Sequence, residues 1–272
     1  MDSKPKKYVL RGGRAGYDRL LVLARDRWPD TAAMFQRTGV RPGMKCLDLG
    51  CGSGEVTLGL AEIVGPGGSA TGIDMNDVNL ELARAAAATR GIRNVEFLRM
   101  DVNRWDDPDA FDLVYSRALV QHLLDPIALV HRMWTAARAG GVLAIEDADF
   151  EGWFCDPPNE GFAFFVRAYS EVLRRHGGDP TAGRKLRRYF RDVGIPEAQF
   201  GFVQPMRYEG EAKSLAWSTL EASSEAILAA GVATPSELRS ALEDLAGFTE
   251  DPQSLISGPR MFQAWVRRPA AA

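Results

Sequence analysis

The sequence has little of what disulfide, metal or membrane chemistry requires. Its three cysteines, Cys46, Cys51 and Cys155, are odd in number and lack C-x-x-C spacing, which argues against a disulfide framework or a thiolate metal centre and for reduced thiols in a cytoplasmic protein. Histidine is as scarce, with three residues; His131 and His176 fall in helical stretches and read as structural, so His122 is the one imidazole left for chemistry. No stretch approaches the roughly 18 uninterrupted apolar residues of a membrane span, and no apolar segment follows Lys4, Lys6 and Lys7 as an export signal would require, so a soluble, unexported chain is expected. A formal charge of -3 provides no broad positive field, which disfavours nucleic acid and anionic membranes as partners. The basic run Arg184, Lys185, Arg187, Arg188 and Arg191 alternates with Leu186, Tyr189, Phe190 and Val193 at helical spacing, as the solvated face of an amphipathic helix does.

What is present is a βα alternation. Residues 15–38 predict a helical arm with Leu20, Leu21, Leu23 and Ala24 on its apolar stripe, interrupted at Pro29. Short apolar runs predict strands near 45–49, 69–74, 94–99, 111–115 and 141–146, with helices in the gaps. Asn76 predicts a helix cap with Gly91 closing the helix, and Asp125-Pro126 starts another that Gly140-Gly141 should end. An irregular 149–159 segment then leads to helices near 160–176 and 180–193, a strand near 200–207, helices near 211–230 and 235–246, and a last strand over 261–267. The late helices stand where a plain sheet needs only a hairpin, so they predict a cap over the ligand crevice. The division expected is an arm over 1–40, a nucleoside-binding core over 41–150, and a helical cap with the last two strands over 151–272.

The most informative stretch is Cys46-Leu47-Asp48-Leu49-Gly50-Cys51-Gly52-Ser53-Gly54-Glu55, a strand entering a glycine turn and then a helix. Glycines at alternate positions permit a sharp turn and close approach to a ligand. A dinucleotide fold would want G-x-G-x-x-G facing a pyrophosphate, but the third position is Glu55, an anion beside an anion. The observed G-x-G-x-G after Asp48 resembles the first motif of class I S-adenosylmethionine (SAM)-dependent methyltransferases. Three further stretches resemble that family in order: Gly72-Ile73-Asp74-Met75, Met100-Asp101-Val102, and Phe111 to Ala118 followed by Gln121-His122-Leu123. The likeness covers residues 41–147 and is nearest to the quinone-biosynthesis and natural-product small-molecule methyltransferases.

The resemblance implies an α/β fold, a Rossmann-like and mostly parallel seven-stranded sheet with helices on both faces. It also implies SAM as cofactor and a small-molecule methyl acceptor as partner; a homodimer is compatible with it. Asp48 would lie near the methionine ammonium, Asp74 would take the ribose hydroxyls, Met75 would pack on adenine and Asp101 would meet its amino group. Gly50, Cys51, Gly52, Gly54, Val102 and Ser116 complete the expected cofactor set. His122 is expected to act as a base or to orient the acceptor, and Tyr17 to close over the methionine end; no metal is expected. The bland readings are that Asp48 braces the turn, Asp101 forms a turn, and His122 and Tyr17 only pack. Glu146, Asp147 and Asp149 read as solvated acids at the crevice rim or as groups that bind a cationic substrate, take a proton or hold a metal, and the aromatics from Phe150 to Tyr169 as either a pocket wall or core. Two alternatives stay open: a SAM-binding protein of this fold without methyl transfer, and an NAD-binding oxidoreductase.

Overall fold

Strand residues of alternating parity feed two different cores, and that alternation builds the layers. In the computed structural model, which describes residues 10, 13–195 and 197–270, the strands are β1 Lys45–Leu49, β2 Ser69–Asp74, β3 Val95–Arg99, β4 Phe111–Arg117, β5 Ala137–Asp149, β6 Cys155–Asp156, β7 Gln199–Val203, β8 Met206–Arg207, β9 Leu255–Ser257 and β10 Arg260–Arg267. The helices are α1 Gly13–Thr38, α2 Glu55–Val64, α3 Asp77–Arg90, α4 Pro126–Ala136, α5 Glu160–Arg175, α6 Ala182–Val193, α7 Leu215–Ala229 and α8 Pro235–Glu250. Lys4, Lys6 and Lys7, used above, lie outside the described residues.

The main sheet runs β3-β2-β1-β4-β5-β10-β7. β1 to β5 are mutually parallel where they pair, and β10 is antiparallel to both β5 and β7. Leu47, Leu49, Val114, Leu143 and Ile145 pack toward α4 and α6 on one face. Cys46, Leu113, Tyr115, Val142 and Ala144 pack toward α1 and α2 on the other. A third core joins α5, α7 and α8 with Phe150, Ile256 and Met261 at one end of the sheet. Strand order reverses between β1 and β4, and that reversal opens a crevice beyond their carboxyl ends.

Local signals account for most boundaries. Asn76 Oδ1 accepts the Asn79 N–H at 3.2 Å, Asp125 Oδ1 accepts that of Ala128 at 2.9 Å, and Gly91 closes α3 in a left-handed conformation. Three expectations are corrected. Pro29 does not interrupt the arm: α1 continues through it, held along its length against α2, α3, α7 and β10. Gly140-Gly141 does not end α4, which stops at Ala136; both glycines lie in β5, next to a register shift against β4 and bonded to Arg268 of the chain leaving β10. The strand expected over 200–207 breaks at Gln204-Pro205 into β7 and β8. β8 then joins β6 and β9 in a separate three-stranded sheet too short to read from pattern.

Candidate active site

The crevice begins at the glycine turn. The Gly50 and Cys51 N–H groups both donate to the Ile73 carbonyl, at 2.8 and 3.0 Å, which ties the turn to β2. Asp74, the last residue of β2, accepts the Gly52 N–H at 3.0 Å on one oxygen and the Asn76 N–H at 2.8 Å on the other. Its carboxylate is therefore fixed, and each oxygen keeps a lone pair for a hydroxyl donor. Beyond it Met75 is 55% exposed, with Val78 and Met100 also uncovered. An apolar patch beside Asp74 and Asp101 is the surface a flat base and its ribose would cover, so the residues present fit a nucleoside.

One cavity of about 850 Å³ brings these residues together. Asp48, Gly50, Cys51, Gly52, Asp74, Met75, Asp101, Val102 and His122 all line it. Three expected residues lie elsewhere. Gly54 sits behind the turn against Ala83 and Phe97. Ser116 is fully buried and faces the Met133 sulfur, because its place in the β4 alternation points it under α4. Tyr17 is buried on α1, where the charges of Glu55 and Arg90 act on its hydroxyl and burial raises its pKa. Glu55 itself pairs with Arg90 at 2.5 Å, so its charge is partly neutralised.

Asp48 is buried and accepts the Thr57 hydroxyl at 2.7 Å, so it braces the turn as well as facing the crevice. Burial pushes its carboxyl up to about 6, opposed by the Thr57 bond and Arg117. A ligand ammonium nearby would favour the ionised form. The sign follows: the attraction is present above about pH 6 and lost as the carboxyl protonates below it. Affinity for S-adenosylhomocysteine, which carries the same ammonium, is expected to fall by about tenfold between pH 7.5 and pH 5, measured by calorimetry.

The acids after β5 are not solvated: Glu146, Asp147 and Asp149 are 2%, 0% and 0% exposed. Glu146 accepts from Thr31 at 2.6 Å and from Tyr115 and Gln263 at 2.5 Å, joining the arm to the sheet. Asp147 accepts the Val120 N–H at 2.8 Å and orients the turn that carries His122; burial pushes it up to about 7. Asp149 takes a two-pronged contact from Arg184, at 2.8 and 2.6 Å. Such partners are what buried carboxylates require.

At the far end of the crevice Phe150, Trp153 and Tyr169 form a wall, with Phe150 stacked on Trp153 at 5.5 Å and on Tyr169 at 4.8 Å. Phe162 and Phe165, from the same aromatic run, pack in the core. Sequence reasoning missed Arg19, Arg27, Gln121 and Arg207, all crevice-lining. The signal was present: Arg19, Asp26 and Arg27 share the helical face of Leu20 and Leu23, where a plain core stripe carries no charge. Among the described residues no group of three His, Cys, Asp or Glu side chains is placed to hold a metal ion, and no helix is long and apolar enough to cross a membrane.

A parallel sheet reversing at β1/β4, an antiparallel β10 at its sixth position and a glycine turn with an acid closing the second strand define the fold of SAM-dependent methyltransferases. Residues 41–171, just under half of the chain, match the model of a family described as a methyltransferase domain, and through that stretch the chain is similar to methyltransferases. An uncharacterized methyltransferase of Schizosaccharomyces pombe is 28% identical over 174 residues, 61% of this chain and 62% of that protein. The chain thus spans less than two thirds of that relative's length. Demethylmenaquinone methyltransferase of Lactococcus lactis is 29% identical over 64% of this chain and 74% of its own. Among solved structures, a Haemonchus contortus phosphoethanolamine N-methyltransferase superimposes with a TM-score of 0.57 at 15% identity, covering 94% of this chain and 58% of that one, a likeness of fold.

Proposed function

We propose that this chain methylates an O, N or C nucleophile of a small molecule held between the glycine turn and the helices α5 and α7. One observation carries the reading: a single cavity runs from Gly50, Gly52 and Asp74 to the aromatic wall of Phe150, Trp153 and Tyr169. When bound, SAM supplies an electrophilic methyl group on a sulfonium sulfur. Asp74 would hold the ribose, Met75 and Val102 would flank the base with Asp101 at its edge, and Asp48 would face the ammonium. In this reading 41–150 is the cofactor core, and the helices of 151–272 cap the acceptor and exclude water. Transition-state charge is dispersed in such a transfer, so alignment supplies much of the catalysis. Cys46, Cys51 and Cys155 are all free thiols, which supports a reducing, cytoplasmic setting.

His122 lines the crevice, and burial with Arg19 nearby lowers its pKa to about 4. It is therefore neutral at physiological pH, a weak base and a good orienting group. His122→Ala is expected to lower kcat by about 10- to 100-fold with cofactor affinity unchanged. The wild-type rate should show no inflection from His122 above pH 5 and should fall only as the ring protonates near 4. Incubation with methyl-labelled SAM and a metabolite extract tests the main reading, with label expected in a low-molecular-mass product. Bound S-adenosylhomocysteine without any labelled product would favour the non-methylating alternative.

A further inference from the structure

Arg27 is the least explained group in the crevice. It lies on α1, is 3% exposed and lines the cavity, yet its Nε and Nη1 donate to no hydrogen-bond partner. Its nearest charge is Asp26, whose carboxylate lies 3.5 Å from Nε but is already engaged by Arg207. The charges that act on Arg27 are Asp26, Arg207, Arg117 and Asp30, so three guanidiniums stand against two carboxylates. Glu146, beyond Thr31, is held by three uncharged donors, the Thr31 and Tyr115 hydroxyls and the Gln263 amide. Gly258 makes the site's room: a Cβ there would come within 2.1 Å of Arg27 Nη2. A buried guanidinium with one long ion pair and two N–H groups that donate to nothing is costly, and a single anion in the cavity would complete it.

Four more orphaned atoms belong to residues of the same cavity: Arg19 Nε, Asn79 Oδ1, and one each on Trp153 and Gln121. The Trp153 indole N–H and the Gln121 Oε1 are buried without partners, and both residues line the cavity. The wall around them is aromatic and aliphatic: Phe150, Tyr169, Leu215 and Met261. A ligand that satisfied Arg27, Trp153 and Gln121 would have an apolar or aromatic body, one anionic end and hydrogen-bonding groups on its flank. We infer that the methyl acceptor is an apolar or aromatic carboxylic acid whose carboxylate is seated on Arg27. The carboxylate is the anchor rather than the nucleophile. A carboxylate suits the site better than a phosphate, because Arg27 offers one guanidinium in a buried, largely apolar setting and a dianion would remain half compensated. Burial lowers the Arg27 pKa to about 10, which leaves it charged at neutral pH. Calling the ligand an acceptor rests on the methyltransferase reading; the anion site itself does not.

The test is calorimetry on the full chain with 3-phenylpropionate, indole-3-acetate, their amides and phenyl phosphate, each with and without S-adenosylhomocysteine. At least one acid is expected to bind about tenfold or more tightly than its amide and than phenyl phosphate. Arg27→Met should weaken that acid by about tenfold or more, leave its amide within about twofold, and leave S-adenosylhomocysteine affinity unchanged. Amides that bind as well as both acids, acids that bind no better to wild type than to Arg27→Met, or no binding by either acid would overturn the inference. Phenyl phosphate binding more tightly than both acids would overturn the choice of carboxylate. The acid-to-amide comparison uses wild type alone and decides the matter even where Arg27→Met fails to fold. If S-adenosylhomocysteine does not bind but the acid preference holds, the cofactor reading fails and the anion site stands.

Discussion

Replacing Asp74 with alanine is expected to raise the dissociation constant for SAM by about a hundredfold or more. The carboxylate is proposed to accept both ribose hydroxyls, and a hydrogen bond to a charged group is worth about 1.5–3 kcal/mol, so losing two amounts to about 3 kcal/mol at the least. The same oxygens accept the Gly52 and Asn76 N–H groups. Their loss releases the turn from the start of α3 and adds a reorganisation cost. Asp74→Asn keeps one acceptor oxygen and the side-chain shape, and should fall between, at about tenfold. Calorimetric titration of S-adenosylhomocysteine against the three proteins checks this. Equal affinities would show that the sugar does not rest on the end of β2.

Gly54→Ala is expected to act on stability rather than first on the ligand. Gly54 precedes α2 at φ 77°, and a Cβ there would lie 2.6 Å from the Ala83 Cβ and 2.8 Å from Phe97 Cε1. The left-handed conformation costs an alanine about 1–2 kcal/mol. The clash adds about 1–3 kcal/mol, because Ala83 is on α3 and Phe97 on β3 in a packed cluster with no flexible side chain to yield. For a chain of this size, a total of about 2–5 kcal/mol lowers Tm by roughly 5–15 °C. Thermal denaturation without ligand is the measurement, and an unchanged Tm would contradict the packing role. The alternate glycines of this turn therefore do different work. Gly50 and Gly52 border the crevice, while Gly54 lets α2 close onto its neighbours.

The difference between those glycines marks how far sequence reasoning reaches. The parallel strands were legible because buried strands leave short apolar runs, and the Asn76 and Asp125 caps because their side chains act on the backbone three residues ahead. Asp48, Asp74 and Asp101 were legible as crevice-lining residues because each lies at or just past the carboxyl end of a strand. Ser116 was not, since one step in a strand turns a side chain to the opposite face and only the register decides which. Glu146, Asp147 and Asp149 misled for another reason. A buried carboxylate and a solvated one are the same letter, and what separates them is Thr31, Tyr115, Gln263 and Arg184, up to 117 residues away. β6 and β9 have two and three residues, too few to show a period. Arg27 was hidden within an arm read as an apolar stripe, although it lines the cavity with two N–H groups that donate to nothing.

A crystal structure of the chain grown with S-adenosylhomocysteine tests the central claim most directly. The nucleoside should lie along Gly50 and Gly52, its ribose on the Asp74 carboxylate, its base between Met75 and Val102, and its amino-acid end toward Asp48. A nucleoside bound elsewhere on the chain, or a crevice left empty at saturating ligand, would contradict the account.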